Sequence, residues 1–354
     1  MQPVFICLCY DRIRMADIMS ENDLNAGSLL LNKDNFNVIE IRYLTKNYGK
    51  FSAVCNMSLS VKQGEIFAML GPNGAGKTTT VEILECIKTP TAGFISILGE
   101  NILYAPAGNI FMVQDANFNG IKEKIGVLPQ DFSAFDLLTV YENIDYFANI
   151  YRKHESVDGL IDFLGLKDKR NVLFKNLSGG LKRRVGIAIA LVNNPEIVFL
   201  DEPTTGLDPK ARRDVWEAIK SLKARGKTVF LTTHYMDEAY YLADRVCIVN
   251  KGSIIAEGSP EDLINEYGGG NTLVIRECGS DAICRLVEEI PESNVVGRDV
   301  QVKLPKDGGM AIIAKAVSII NSGNFSCKEL YVKKSTLEDV FLNLTGEKLT
   351  ERGQ

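Results

Sequence analysis

The stretch "GEIFAMLGPNGAGKTTTVEILECI", residues 64–87, decides how the rest of the chain is read. Its first part, "GEIFAML", is a uniformly apolar run of strand length that ends at a glycine. Its last part, "TTTVEILECI", reads as a helix. Between them, Gly71, Pro72, Asn73, Gly74, Ala75, Gly76, Lys77, Thr78 and Thr79 fit the spacing G-x-x-x-x-G-K-[ST]. A strand before that spacing and a helix after it make it a phosphate cradle. Glycines let the backbone close around phosphates, whose charge meets the free N–H groups at the helix start. Lys77 is expected to reach the β- and γ-phosphates, and the Thr78 hydroxyl to coordinate Mg²⁺.

A nucleotide loop needs carboxylates opposite it, and "IVFLDEP" (197–203) supplies them. Four apolar residues run into Asp201 and Glu202 at a strand's C-terminal end, the edge where open α/β sheets place ligands. Asp201 can hold Mg²⁺ through its water shell, and Glu202 can take a proton from an attacking water.

Working outward, strands alternate with helices from Val38 to about residue 260, which predicts a parallel, helix-covered sheet with an antiparallel β edge near its start. Residues 131–176 read as mainly helical, with a helix over "LLTVYENIDYFANIYRK". The polar and aromatic segment "ENILYAPAGNIFMVQDANFNG" (100–120) is unusually long and reads as a surface hairpin or loop. "EYGGGN" (266–271) is the linker candidate. Beyond it, a β-α-β-β-α-β order followed by a last helix predicts a small α+β, ferredoxin-like domain. The expected organisation is an extension over 1–36, poorly ordered; a nucleotide-binding domain over 37–265; the small domain over 271–346; and a tail over 347–354.

Bulk properties narrow the function. The length of 354 residues suits roughly two domains, and 45% apolar with 24% charged residues is ordinary for a globular chain. A net charge of −5 argues against a nucleic-acid binder. The eight cysteines contain no C-x-x-C pair, so neither a zinc site nor a disulfide framework is expected. No run approaches the roughly 20 apolar residues of a membrane helix. "MQPVFICLCY" lacks the basic start of a signal peptide.

Further motifs follow in a fixed order: "YGK" with Tyr48, "LPQ" with Gln130, "LSGGLKRR" (177–184), "LDEPTTGLDP" (200–209) with Asp208, and "TTH" with His234. Together with the glycine loop they make the chain resemble the ATP-binding subunits of ABC transporters over residues 38 to about 260. "LSGGLKRR" resembles that family's signature, with Leu181 where Gln is commonest and unable to make Gln's hydrogen bonds. The "KRR" and the tail "STLEDVFLNLTG" (335–346) lie nearest the drug-exporter subfamily.

The resemblance implies adenine stacking on Tyr48, water and Mg²⁺ sensing by Gln130, and a γ-phosphate contact from His234. Ser178, Gly179 and Gly180 open a second helix and form a second anion turn. With one ATP already in the glycine loop, that turn needs another to face. A two-fold dimer meets the need by sandwiching two ATP molecules, each between one subunit's loop and the other's turn, as the family does. The partner is a second copy or a related ATPase subunit. The resemblance also implies separate integral membrane subunits, bound from the cytoplasmic face through a surface near "DFSAFDLLTVYEN" (131–143). The competing class, a soluble ABC ATPase acting on DNA or ribosomes, usually carries coiled coils, zinc cysteines or tandem ATPase units. This chain has none of these.

Overall fold

The computed structural model describes residues 37–104, 118–305 and 308–347. The expected extension over 1–36, most of the long segment after Tyr104 and the tail beyond residue 347 lie outside them. Six elements come first: β1 (Asn37–Tyr48), β2 (Phe51–Lys62), β3 (Ile66–Leu70), α1 (Lys77–Leu84), β4 (Ala92–Ile97) and β5 (Glu100–Tyr104). After the gap come α2 (Phe118–Lys124), β6 (Ile125–Leu128), α3 (Val140–Ala148), α4 (Val157–Phe163), α5 (Gly179–Ala190), β7 (Ile197–Asp201), α6 (Pro209–Ala224) and β8 (Thr228–Thr233). They are followed by α7 (Met236–Leu242), β9 (Arg245–Asn250), β10 (Ser253–Gly258) and α8 (Pro260–Tyr267).

The central sheet runs β10-β9-β3-β8-β7-β6, parallel from β9 to β6, with β10 antiparallel at one edge. Strands β3, β7 and β8 are buried along their whole length, which is why β3 and the first four residues of β7 read as unbroken apolar runs, while β8 buries three threonines as well. The expected antiparallel edge near the chain start is corrected. β1, β2, β4 and β5 form a four-stranded antiparallel sheet of their own, ordered β2-β1-β4-β5. Burial alternates over residues 57–61 of β2, which turns Met57, Leu59 and Val61 inward, while register shifts break the alternation along β1.

The helical stretch is shorter than its periodicity suggested. α3 begins only at Val140, because Thr139 and Glu142 form a reciprocal capping box.

Beyond the core lie β11 (Thr272–Arg276), α9 (Ser280–Glu289), β12 (Ser293–Val296), β13 (Asp299–Lys303), α10 (Gly309–Ser322), β14 (Glu329–Lys333) and α11 (Leu337–Thr345). The four strands pair antiparallel in the order β12-β13-β11-β14. They share a small core with α9 and α10 through Leu273, Ile275, Leu286, Val300 and Ile319. α11 does not join it. Leu337, Val340 and Phe341 are buried in the large core with Leu263 of α8, because their i, i+3, i+4 spacing makes one apolar stripe. The chain therefore leaves the large core, builds the small sheet and comes back.

The glycine-rich connector takes part in that return. Ser335 Oγ hydrogen-bonds the carbonyls of Gly268, at 3.0 Å, and Gly270, while Asn343 Nδ2 donates to Tyr267 O at 2.8 Å. Outgoing and returning strands of chain are thereby stitched together.

Candidate active site

The loop after β3 is shaped first by its protein neighbours. A Cβ on Gly71 would lie 2.3 Å from the Val249 carbonyl oxygen, and one on Gly76 2.4 Å from that of Ala53. Gly76 also has φ +100°, so no other residue fits there. The loop encloses an open cleft of about 220 Å³ lined by Asn73, Gly74, Gly76, Lys77, Thr78, Thr79, Gln130 and Glu202. That is below the roughly 300 Å³ at which small-molecule pockets begin, a size that suits phosphate groups.

Lys77 is almost fully buried, and its Nζ donates to Gly71 O at 2.8 Å and Pro72 O at 3.2 Å. It also lies 3.4 Å from Glu202 Oε1. Burial pushes its pKa down, against the pull of Glu202 and Asp201.

Asp201 closes β7 and is buried too; the hydroxyls of Thr232 and Thr78 hydrogen-bond to it. Burial raises its pKa, and those two bonds work the other way. A buried carboxylate beside the Thr78 hydroxyl is a hard-oxygen pair of the kind Mg²⁺ takes through one or two protein ligands and water. These residues fit that ion.

Glu202 follows with its backbone at φ +45°, a conformation a non-glycine residue adopts at a cost. Its amide is held by Thr232, through the hydroxyl at 3.1 Å and the carbonyl at 3.2 Å. Oε2 collects Thr205 Oγ1 at 3.0 Å, His234 Nδ1 at 3.1 Å and Gln130 Nε2 at 3.4 Å. Burial alone would raise the pKa of Glu202. The His234 ring, the Lys77 charge and Thr205 outweigh it and hold the carboxyl at about 2.

Lys77, Gln130, the adjacent Asp201 and Glu202, and His234 thus meet around one cleft from four separate stretches of chain. Sequence reasoning missed Thr205 and Thr232, although both stand inside quoted motifs; a hydroxyl next to a recognised residue was the available signal. It also missed Glu238, wholly buried on α7, which accepts from Thr204 Oγ1 at 2.7 Å and Trp216 Nε1 at 2.9 Å.

A family profile described as ABC transporter matches residues 54–205. Nod factor export ATP-binding protein I of Burkholderia orbicola (strain AU 1054) is 36% identical over 318 residues, 88% of this chain and 98% of that protein. Daunorubicin resistance ATP-binding protein DrrA3 of Streptomyces coeruleorubidus is 34% identical over 310 residues, 85% of this chain and 94% of its own length. This chain belongs to the ABC transporter family. It is an ATP-binding, ATP-hydrolysing subunit of that family. Among solved structures, the ATP-binding cassette MJ0796 in a dimeric post-hydrolysis state bound to ADP and Pi superposes with a TM-score of 0.53 at 30% identity, over 62% of this chain and 98% of that one. Among the described residues no helix is long and apolar enough to cross a membrane.

The remaining expected site residues of this ABC subunit lie elsewhere on it. Ser178 holds the N-cap position of α5 with extended backbone, and its hydroxyl makes no capping bond. Gly179 packs against the next motif and Gly180 against α6: a Cβ on Gly180 would come within 2.8 Å of Ala211 Cβ, and one on Gly179 within 3.1 Å of Leu207 Cδ2. Asp208 caps α6, accepting from Lys210 N and Ala211 N at 3.0 Å each. Neither Asp208 nor Ser178–Gly180 lines the cleft of their own chain. Tyr48 is absent from that lining as well. It is 44% exposed, with Lys46 Nζ 5.0 Å and Lys88 Nζ 5.8 Å from its ring centre.

The 131–143 segment is tied down by one buried side chain and exposes two large apolar residues, Phe135 and Leu137, among polar ones. The buried Asn143 amide accepts from Phe135 N and donates to the carbonyls of Phe135, Leu138 and Thr139. That leaves Phe135 stacked edge-on against Tyr146 at 4.9 Å and Leu137 72% exposed.

Proposed function

We propose that this subunit drives an exporter by closing and opening as a dimer on two ATP molecules, with each ATP held by the glycine loop of one chain and the Ser178–Gly180 turn of the other. The observation that carries this is the position of that turn. It is a helix start with free N–H groups that has no place in its own chain's phosphate cleft. Export is supported by the printed functions of the relatives, Nod factor export and daunorubicin resistance.

Within each site, Lys77 and the loop amides bind the β- and γ-phosphates, and Thr79 and Asn73 line their path. Gln130 and His234 orient water and γ-phosphate. Glu202 accepts a proton from the attacking water as the oxygen bonds to the γ-phosphorus and the bond to ADP breaks. Thr78 and Asp201 would hold Mg²⁺ between them, with Gln130 beside it; bound there, the ion neutralises charge on the phosphate oxygens. Tyr48 offers its ring to the adenine, and Asp208 stands at the dimer seam. Binding of γ-phosphate closes the dimer and its loss reopens it.

The exposed Phe135–Leu137 surface is the seat for integral membrane subunits, with the protein peripheral on their cytoplasmic side. The small sheet's β-α-β-β-α-β order and strand order β12-β13-β11-β14 support a ferredoxin-like unit.

The test is a mixture. Lys77→Ala loses phosphate binding and Ser178→Arg blocks the turn, so each homodimer carries two spoiled sites. In a heterodimer one site is whole, so ATPase activity should recover on mixing to roughly a quarter of wild type for random pairing and independent sites. Coupled sites could keep turnover low, so ATP-dependent dimerisation is measured with it. If mixing raises neither above the separate variants, the shared-site arrangement is wrong.

A further inference from the structure

Arg183 lies in the second turn of α5, the helix that begins at the Ser178–Gly180 turn. It is 8% exposed, and among the described residues it has no carboxylate within ion-pairing distance. Its guanidinium is spent on three backbone carbonyls instead. Nε donates to Pro203 O at 2.9 Å, Nη1 to Pro129 O at 3.0 Å and Nη2 to Glu202 O at 3.0 Å. Asp201, Asp131, Glu238 and Glu202 act on it only from beyond contact and do not offset its burial. A buried cation with no carboxylate in contact is expensive, and an apolar side chain of that length would pack at less cost. Something other than stability keeps it there.

The three acceptors say what it grips. Pro129 precedes Gln130, Glu202 is the hydrolytic carboxylate in the reading above, and Pro203 follows it. The side chains of Gln130 and Glu202 meet at 3.4 Å, while Arg183 ties together the backbones behind them. A planar fork with fixed donor directions sets the relative position of two chain segments in a way a point charge cannot. Glu202 in particular needs such a grip, since its φ of +45° is strained. A second, independent contact points the same way. A Cβ on Gly186, one turn further along α5, would come within 2.5 Å of Leu128 Cδ1 and 2.9 Å of Phe132 Cδ1. The helix is therefore packed without slack against both flanks of Gln130.

We propose that Arg183 is a positioning residue for hydrolysis in its own chain: it makes the helix whose start faces the partner's nucleotide also the brace of its own Gln130 and Glu202. Engagement of one ATP by α5 is then felt at the carboxylate that takes the proton from the water attacking the other. The inference rests on the shared-site reading, and the two can fail separately.

Arg183→Lys keeps the charge and the stem but cannot reach three carbonyls. It should lower kcat about tenfold or more, while KM and the Kd for Mg-ATP stay within about twofold. The mixing experiment then locates the effect. Added to the Ser178→Arg chain, which contributes the intact glycine loop and its Glu202, Arg183→Lys should lower the recovered activity by the same factor. Added to the Lys77→Ala chain, which contributes only its turn, it should leave most of the recovery.

Loss of Mg-ATP affinity in step with kcat, or an effect confined to the turn-donating chain, would overturn the assignment. If the parent mixture recovers nothing, the shared site is at fault, and the kcat-against-KM split in the single variant still decides Arg183. Thermal unfolding is followed alongside. Should the lysine variant be unstable, Arg183→Gln, with one donor group and no buried charge, must give the same split or the proposal fails.

Discussion

Held by Lys77 on one oxygen and by Thr205, His234 and Gln130 on the other, Glu202 is a poor proton acceptor, with its pKa at about 2. In the proposed reaction ATP draws Lys77 and His234 towards its phosphates, and the carboxylate becomes a stronger base when substrate is in place. Glu202→Gln should therefore bind Mg-ATP almost normally, turn it over at least about a hundredfold more slowly and collect as an ATP-bound dimer; turnover near wild type excludes Glu202 as the base. A second buried acid behaves oppositely. Glu85, at the C-terminal end of α1, is pushed up to about 8 by burial first and then by Asp201 and Glu82. Because its folded pKa lies above the ordinary 4.5, its protonated form favours the fold at low pH, and that advantage drains away as pH climbs from there to about 8. Glu85→Gln has no proton to lose, so its urea midpoint should gain on wild type between about pH 5 and about pH 8. An unchanging gap would show Glu85 titrating alike in both states.

The elements that were legible in the sequence are those whose local pattern and tertiary role agree. β3, β7 and β8 are buried on both faces, so their composition alone betrays them, and the glycine loop is announced by spacing. Lys77, Gln130, Asp201, Glu202 and His234 could be named from motifs, but not the hydroxyls and the guanidinium that hold Glu202 in place. The guanidinium donates to backbone carbonyls, which leave no residue-type trace, while Thr205 and Thr232 stand inside the motifs without a spacing of their own to mark them. α11 misled for a related reason. Its apolar stripe was visible, while the choice between two cores depends on how the chain doubles back at Ser335. Phe341 is only 2% exposed in the large core, so Phe341→Ala should cost about 3–5 kcal/mol in the main unfolding transition. It should not merely loosen the small sheet. A fragment ending at residue 265 forfeits the same contact and should unfold at a lower temperature than the full chain even if it still binds ATP. An unchanged main transition in Phe341→Ala would mean that α11 is not part of that core in solution.

Taken together, one subunit carries half of each of two proposed sites, a clipped surface loop proposed as the seat for membrane partners, and a small sheet held between two stretches of its own core. The loop makes a separable prediction. Leu137→Asp alters an exposed side chain outside the cleft, so ATP binding by the isolated subunit should be preserved while co-purification with its membrane protein falls at least about tenfold. Undiminished co-purification would move the docking surface elsewhere. The returning helix has a consequence for how the protein is made. During translation every nucleotide motif emerges from the ribosome before α11 does, with the whole small sheet in between. Until Phe341 is synthesised, the groove beside Leu263 lacks its filling. A nascent chain can have its phosphate loop in place and still be incomplete, so a product cut short by a premature stop presents an open apolar groove to proteases and chaperones.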